Sequence, residues 1–325
     1  MLGYNARALR VLITGGAGFI GSHVADAYLA RGDEVAVLDN LSTGKDENVS
    51  LDCNWFAEGD VADSHFVEQE FASFHPEVVL HAAGSYADPS AWAEDARTNA
   101  VGTATVVQAA ERHNVRRFVY LQTALCYGLH PESPVRPRRE LDPSASSYAI
   151  TKTAGEYFVR NSSLDWQSFR LANCYGPRNV SGPTPAFYKR LKAGQSVTVM
   201  DTRRDFVFIY DLVRLLVMAL GGGGKARTIY HASSGSDQSI MEMYMAVEKA
   251  MNLSHAELPD LVARGPDDAP SILLDPEETE IDFGWTTSTS LELGVRAAVD
   301  YYNRHGVGAT YTHLRLPAHG ASQAS

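Results

Sequence analysis

The feature that most constrains the fold is the segment LRVLITGGAGFIG, which spans residues 9–21. A short apolar run typical of a buried strand passes directly into a cluster of glycines, and a segment with helical apolar spacing, SHVADAYLARG, follows. Glycine permits the tight turn and close backbone approach that such a connection requires. Gly15, Gly18 and Gly21 therefore predict a strand–turn–helix unit.

The same alternation of strand-like and helix-like segments continues as far as residue 176. The patterns typical of strands occur in EVAVLDN, HPEVVLHAAG, VRRFVYLQTA and DWQSFRLANCYGP, and a helical pattern occurs in NAVGTATVVQAAERH. Strands that alternate with helices form a parallel sheet covered on both faces, and right-handed crossovers make that sheet doubly wound. The sequence therefore predicts an α/β fold with a doubly wound parallel sheet of the Rossmann type.

After Pro177 this rhythm gives way to loops, short helices and strands. We therefore expect a first domain over residues 1–176 and a smaller, mixed α/β domain over residues 177–316, with some segments returning to the first. The segment PAHGASQAS, at residues 317–325, has the composition of a flexible tail.

Composition excludes several classes of function. The chain of 325 residues has 28 lysines and arginines against 39 acidic residues, a net charge of −11, which argues against nucleic-acid binding. Its apolar runs are far shorter than the roughly 20 residues of a membrane span, and its first residues lack the apolar core of a signal peptide. Cys53, Cys126 and Cys174 have no metal-binding spacing, so we expect reduced thiols in a cytoplasmic protein without a metal site.

The glycine loop and the second strand together favour a dinucleotide. Backbone amides at such a loop, and at the start of the following helix, can bind a pyrophosphate. Asp39 ends the second predicted strand, where a carboxylate can accept hydrogen bonds from both ribose hydroxyls of an adenosine and would repel a 2′-phosphate. Asn40 adds no positive charge, so NAD is favoured over NADP. Asp60 follows the third strand, where it could meet an adenine amino group or act as a loop or helix-cap residue.

Three side chains form a candidate reactive set. Thr123 carries a hydroxyl that could touch a substrate, and Tyr148 and Lys152 are spaced i, i+4 on one helix face. A free phenol has a pKa near 10, and a nearby ammonium lowers it, so the pair can act as a general acid or base for a sugar hydroxyl. Taken alone, the Tyr-x-x-x-Lys spacing is common by chance and is equally compatible with packing.

In order along the chain, eight motifs resemble those of the extended short-chain dehydrogenase/reductase family, and in particular its NAD-dependent nucleotide-sugar epimerases and dehydratases. They are TGGAGFIGSH, LDNLSTG, GDV, HAAG, NAVGT, SYAITK, FRLANCYGPR and RDFVFIYDL. The resemblance covers nearly the whole chain. It implies that Thr123 contacts the reacting sugar oxygen and Tyr148, that Tyr148 is the acid/base, and that Lys152 binds the nicotinamide ribose and tunes the phenol.

The resemblance also implies roles for residues around the cofactor and the substrate. The cofactor side would consist of Gly15, Gly18, Phe19, Ile20 and Gly21 at the pyrophosphate, Asp39, Asn40, Ser42, Thr43 and Gly44 at the ribose, Asp60 and Val61 at the adenine, and Ala82, Ala83, Gly84 and Asn99 beside the cofactor. On the substrate side, Asn173 and Arg204 would hold the nucleotide diphosphate, and Tyr86 either faces the sugar or is a surface tyrosine. The helices around residues 99–113 and 148–161 would form a homodimer through a four-helix bundle.

The residues after Thr123 indicate which reaction the site supports. The 4,6-dehydratases of the family resemble one another in carrying an Asp–Glu pair there, whereas this chain has Ala124 and Leu125, and Gln122 and Cys126 replace more usual small or valine residues. The resemblance therefore implies epimerisation of a nucleotide-diphosphate sugar at C4 through a transient 4-keto sugar, with UDP as the favoured nucleotide. The alternatives are a dehydratase or ketoreductase of the same family and, more remotely, a non-catalytic NAD-binding sensor or scaffold.

Overall fold

A seven-stranded sheet, all of whose strands run parallel to their neighbours, forms the centre of the molecule. The computed structural model describes residues 8–130, 132–254, 258–265 and 268–311, so the tail expected at 317–325 lies outside the described residues. The doubly wound α/β fold predicted from the sequence is confirmed. In spatial order the strands are β10 (Thr228–Ala232), β6 (Trp166–Leu171), β5 (Arg117–Thr123), β4 (Val78–His81), β1 (Arg10–Thr14), β2 (Glu34–Asp39) and β3 (Trp55–Glu58).

Helices cover both faces of this sheet, because its strands are apolar on both faces. Along β1, Val11 and Ile13 are buried in one core cluster and Leu12 in the other, as the two-residue period of a strand requires. The helices are α1 (Phe19–Leu29), α2 (Ser64–Phe74), α3 (Trp92–Asp95), α4 (Thr103–Arg112), α5 (Ser147–Asn161), α6 (Pro183–Lys192), α7 (Ile209–Leu220), α8 (Ile240–Ala250), α9 (Glu277–Phe283) and α10 (Leu291–His305), with a π-helical segment, Ala96–Gly102, between α3 and α4.

The second half of the chain builds two small sheets and also contributes to the large one. One small sheet has the order β11 (Asp237–Ser239), β9 (Arg203–Phe208) and β7 (Asn173–Tyr175), and the other pairs β12 (Asp260–Val262) with β8 (Thr198–Met200). β10 returns to the edge of the large sheet and pairs with β6. The boundary expected at residue 176 stays a prediction. In the described part of the chain, no helix is both long enough and apolar enough to cross a bilayer.

The strand order places a crevice at the carboxyl ends of β1 and β4. β1 lies between β2 and β4, so the chain winds outward in opposite directions from this point, and ligands of doubly wound sheets bind in the crevice that results. The carboxyl ends of β1, β2, β4 and β5 therefore carry the loops that form the site.

Two histidines, His81 and His231, are fully buried in the core as neutral rings. His81 Nδ1 lies 2.6 Å from Thr14 Oγ1, and its Nε2 lies 2.9 Å from Thr103 Oγ1. Because the Thr103 hydroxyl donates to the Asn99 carbonyl oxygen at 2.6 Å, it accepts from His81, which places the ring proton on Nε2. Burial lowers the pKa of both rings to about 3. At His81 the charge of Lys152 lowers the pKa further, and at His231 a hydrogen bond to the Asp275 carbonyl oxygen opposes the shift.

These histidines predict a loss of stability in mild acid. The unfolded chain binds their protons below about pH 6.5 and the native chain does not, so the free energy of unfolding falls by about 1.4 kcal/mol per pH unit for each ring as pH decreases from there. Urea unfolding at pH 7.5 and pH 5.5 measures this slope. Replacing the exposed His65 by glutamine should leave the slope unchanged, and equal stability of the parent protein at both pH values would contradict the prediction.

Candidate active site

The glycine loop between β1 and α1 forms the floor of a cavity of about 420 Å³. Gly15 has φ +67°, and a Cβ there would lie 2.7 Å from the Ala83 backbone nitrogen, so only glycine lets the loop approach the end of β4. Gly18 precedes α1 and has no side chain to cap it, and the first turn carries no acid. The open helix N-terminus therefore faces the cavity with the polarity that suits a pyrophosphate.

Most of the residues predicted to contact a dinucleotide line this one cavity. Asp60 and Asn99 are not among its lining residues. Those that line it are Gly15, Gly18, Phe19, Ile20, Gly21, Asp39, Asn40, Ser42, Thr43, Gly44, Val61, Ala82, Ala83, Gly84, Tyr148 and Lys152, together with Tyr86.

Asp39 is buried at the end of β2 with both carboxylate oxygens in hydrogen bonds. Its Oδ2 accepts from the Ala17 amide at 3.0 Å and its Oδ1 from the Leu41 amide at 2.9 Å. Burial raises the pKa of this carboxyl, and the backbone donors oppose that rise. A Cβ at Gly44 would lie 2.8 Å from Oδ1, so the loop after β2 needs glycine to pass so close to the carboxylate.

Asp60 and Asn99 make their contacts within the protein instead. The Asp60 carboxylate pairs with Arg97 at 2.6 Å, while its neighbour Val61 lines the cavity. Asn99 is fully buried, where its Oδ1 accepts from the Ser85 amide at 2.9 Å and its Nδ2 donates to the Ser85 carbonyl oxygen at 2.9 Å and to Thr151 Oγ1 at 3.0 Å. Asn99 thus fixes the loop after β4 against α5.

The structure brings Thr123, Tyr148 and Lys152 together. Thr123 is the last residue of β5, and Ser146 caps α5 by accepting from the Ala149 amide at 3.1 Å, which puts Tyr148 in the first turn. The Thr123 hydroxyl is hydrogen-bonded to the Tyr148 phenol. Lys152, one turn further along α5, is 3% exposed, and its Nζ lies 4.2 Å from the centre of the Tyr120 ring.

The electrostatics of this set differ from the lowered phenol pKa expected from the sequence. Burial raises the pKa of Tyr148, the Asp95 carboxylate raises it further, and the hydrogen bond from Thr123 lowers it. Burial also lowers the pKa of the Lys152 ammonium to about 7, against the opposing charge of Glu156. The reason is desolvation, which depends on what packs around a residue and which the i, i+4 spacing does not reveal.

Sequence reasoning missed a carboxylate close to the reactive set. Asp95 is 1% exposed, and its Oδ1 accepts from the Ser85 hydroxyl at 2.8 Å. It precedes Asn99 by four residues and therefore shares its helix face, and both side chains bind Ser85. The i, i+4 spacing from the NAVGT motif is the signal that could have found it.

The far end of the chain also reaches the cavity, although no sequence motif predicted this. The Tyr86 ring lies 5.5 Å from that of Tyr148 and 5.3 Å from that of Tyr311, measured between centroids. The Tyr86 and Tyr311 hydroxyls are 3.4 Å apart. Further lining residues that sequence reasoning missed are Arg178, Asn179, Tyr301 and His305.

Asn173 and Arg204 lie on neighbouring strands, β7 and β9, outside the lining of the main cavity. The Asn173 amide donates to the Asp205 carbonyl oxygen at 3.3 Å. Arg204 pairs with Asp268 and donates to the Ala269 carbonyl oxygen at 2.9 Å. Burial lowers the pKa of the Arg204 guanidinium, and Asp268 opposes that shift, so this cation is already charge-compensated within the protein.

Known proteins resemble this chain over nearly its full length. The crystal structure of the Bordetella bronchiseptica enzyme WbmH in complex with NAD+ has a TM-score of 0.89 and 48% identity, covering 93% of this chain and 100% of that one. The enzyme WbmG of the same organism, in complex with NAD and UDP, has a TM-score of 0.88 and 40% identity, covering 95% and 100%. UDP-glucose 4-epimerase of Mycolicibacterium smegmatis is 32% identical in an alignment 326 residues long, gaps included, that covers 90% of this chain and 98% of that protein.

The family model described as the NAD dependent epimerase/dehydratase family matches residues 11–231. That match, with the glycine cradle and the open helix N-terminus, confirms both the family and the NAD cofactor expected from the motifs. The chain therefore belongs to the NAD-dependent epimerase/dehydratase family of enzymes.

Proposed function

We propose that this enzyme inverts C4 of a UDP-sugar through a transient 4-keto sugar. The observation that carries the proposal is that Tyr148 and Lys152 line the cavity and Thr123 is hydrogen-bonded to Tyr148, while Ala124 and Leu125, which follow Thr123, can neither give nor take a proton. Similarity to a UDP-glucose 4-epimerase and to an enzyme crystallised with NAD and UDP supports the choice of reaction and nucleotide.

The cofactor would be held by the residues that line the cavity. The amides at the start of α1 would bind the pyrophosphate, and Asp39 would bind the adenosine ribose hydroxyls. When bound, NAD supplies a hydride acceptor and donor beside the sugar, and its oxidised nicotinamide brings a positive charge to the site. Lys152 would bind the nicotinamide ribose.

Tyr148 would take the proton of the 4-hydroxyl and, once the keto sugar has turned over, return it to the same oxygen, so that only the configuration at C4 is inverted. Because burial raises the pKa of its phenol, the phenolate needs positive charge close by. Lys152 provides that charge in its protonated form, which the Glu156 carboxylate favours. Thr123 would hold the sugar oxygen in line with the phenol, since its hydroxyl is already hydrogen-bonded to Tyr148.

The diphosphate of the substrate would be held by Arg204 and Asn173. A guanidinium suits bidentate phosphate contacts, and here the phosphate would share or replace Asp268 as its partner. A grip on the diphosphate alone would leave the keto sugar able to turn over without leaving the site. Tyr86, which packs on Tyr148, would face the sugar.

A dimer would bury an apolar surface on α5 and the preceding π-helical segment. Val101, Ile150, Tyr157 and Phe158 are 54%, 50%, 55% and 47% exposed, respectively. Apolar side chains grouped on adjacent helices favour burial against a partner. We propose that two copies of the chain pair through these helices.

Replacing Tyr148 by phenylalanine should lower turnover by about 100- to 10,000-fold, because the general acid/base is lost while the ring packing remains. Interconversion of UDP-sugars followed by NMR measures turnover, and calorimetry should show NAD bound as tightly as before. Tyr210→Phe, on an exposed tyrosine of α7, is the matched control and should keep full activity. Undiminished turnover of Tyr148→Phe would exclude the phenol as acid/base.

Turnover in deuterated water separates epimerisation from elimination. A C4 epimerase returns the hydride that it removed, so the product sugar should carry no deuterium at C4 or C5 in NMR spectra. A dehydratase would exchange C5 and lose water, and a reductase would change the absorbance of the cofactor. Either result from a panel of UDP-, GDP-, CDP- and dTDP-sugars would replace the proposed reaction with the corresponding alternative.

Light scattering at micromolar protein should give twice the mass of the 35.4 kDa chain. The double substitution Tyr157→Glu, Phe158→Glu should shift the protein towards the monomer, because it places two charges in the apolar surface. Ile281→Glu, on an exposed residue of α9, should leave the mass unchanged. A monomeric parent protein would rule out the proposed dimer.

A further inference from the structure

A buried amide connects the strand that carries Thr123 with the helix that carries Tyr148 and Lys152. Gln122 is 2% exposed, and its Oε1 accepts from the Thr123 backbone amide at 2.8 Å. Its Nε2 donates to Glu156 Oε2 at 3.1 Å. One side chain therefore bonds the end of β5 to the middle of α5.

Glu156 lies one helical turn beyond Lys152 and is 1% exposed. It receives hydrogen bonds from Arg170, at 2.9 Å to Oε1 and 3.1 Å to Oε2 from the same nitrogen. Arg170 stands on β6 directly opposite Gln122 in the sheet register. Because Arg170 forms an ion pair with Glu156, loss of the Gln122 bond does not leave that carboxylate without a partner in the core.

Packing alone does not explain an amide at position 122. Leu121 and Ala124, which flank Gln122 and Thr123 in the sequence, are apolar and buried. An apolar side chain at position 122 would fill the same space without desolvating a polar group. Both strong hydrogen bonds of Gln122 instead go to segments that carry the proposed reactive set. Together with the bond from the Leu125 amide to Thr123 Oγ1 at 3.2 Å, they fix the orientation of the Thr123 hydroxyl.

We propose that Gln122 and Glu156 are positioning residues of the reaction: Gln122 locks the strand end that bears Thr123 onto α5, and Glu156 keeps the Lys152 ammonium charged. This inference rests on the proposed function for its kinetic part and stands on the structure alone for the state of Lys152.

The groups around Lys152 make Glu156 its main source of negative charge. His81 on β4 is neutral because burial lowers its pKa to about 3, and Tyr120 on β5 is neutral because burial raises its pKa well above 10. Tyr148, on the same helix, has a raised pKa as well, and Asp95 on α3 acts on Tyr148. Removing the Glu156 charge should therefore lower the pKa of Lys152 below its value of about 7.

The kinetic test replaces Gln122 by methionine, which keeps the length of the side chain and removes both bonds. We expect kcat to fall by about 10- to 100-fold, because a misplaced Thr123 no longer aligns the sugar oxygen, with KM changed less than about threefold. Gln122→Glu keeps the acceptor for the Thr123 amide and should recover part of the loss at low pH, where its protonated carboxyl can donate to Glu156.

The matched control is Gln167→Met. Gln167 is a fully buried glutamine on β6 whose amide donates to the carbonyl oxygens of Gly223 and Lys225, at the other end of the sheet. The Gln167→Met variant should lose about as much stability as Gln122→Met and keep the kcat of the parent protein. Parent-like kcat in Gln122→Met, at a temperature where both variants are folded, would overturn the role of Gln122.

The second test reads Lys152 directly, without substrate. The chain has six lysines, so the ¹³C-labelled Lys152 signal can be identified by its absence in Lys152→Arg and titrated by NMR in the full-length protein. Glu156→Gln should move the titration downward by about one pH unit. If that variant fails to fold because Arg170 loses its partner, the double variant Glu156→Gln, Arg170→Gln removes both charges and should show a smaller downward shift, because loss of the Arg170 cation offsets part of the effect.

An unchanged Lys152 titration in a folded Glu156 variant would overturn the role of Glu156, whatever the enzyme turns over. If the parent protein epimerises no nucleotide sugar but the titration moves as expected, the proposed function fails and the role of Glu156 stands. If the parent protein is an active epimerase and all variants match it in kcat and in titration, the inference fails and the proposed function stands.

Discussion

The chemistry proposed for this site depends on the ammonium group of Lys152, which the fold removes from water. Burial of Lys152 lowers its pKa from 10.5 to about 7, which corresponds to about 5 kcal/mol against the charged form. This net cost already includes the favourable charge of the Glu156 carboxylate one turn away, and the face of the Tyr120 ring lies against the ammonium. Because burial raises the pKa of Tyr148, the proposed loss of its proton would require that positive charge nearby.

The parts of the site that local patterns encode could be predicted from the sequence. The glycine loop, the alternation of strands and helices, and the i, i+4 pair of Tyr148 and Lys152 each depend on residues close together in the chain. Asp39 was found for the same reason, since it directly ends a strand. Parallel-sheet topology then brings the ends of separated strands to one edge, so local signals were enough to locate the crevice.

What could not be predicted depends on pairings across the fold. The Asp60 carboxylate pairs with Arg97, which is 37 residues away in the sequence. Arg204 pairs with Asp268, which is 64 residues away. The direction of the phenol pKa was missed because desolvation is a property of the packed environment, which includes Asp95. Gln122 was noticed only as an unusual residue beside Thr123, since its partner Glu156 is 34 residues away.

The contact between Tyr86 and Tyr311 means that the cavity is built from segments far apart in the order of synthesis. By residue 171 a nascent chain already contains six of the seven strands of the large sheet, with all of the reactive set. Two parts come later in the sequence: β10 (Thr228–Ala232), at the sheet edge beyond β6, and Tyr311, which contacts Tyr86. In sequence order, the strands that carry the dinucleotide site therefore come first, and the tyrosine that contacts Tyr86 is the last described residue, so the lining of the cavity is complete only in a chain that extends to residue 311.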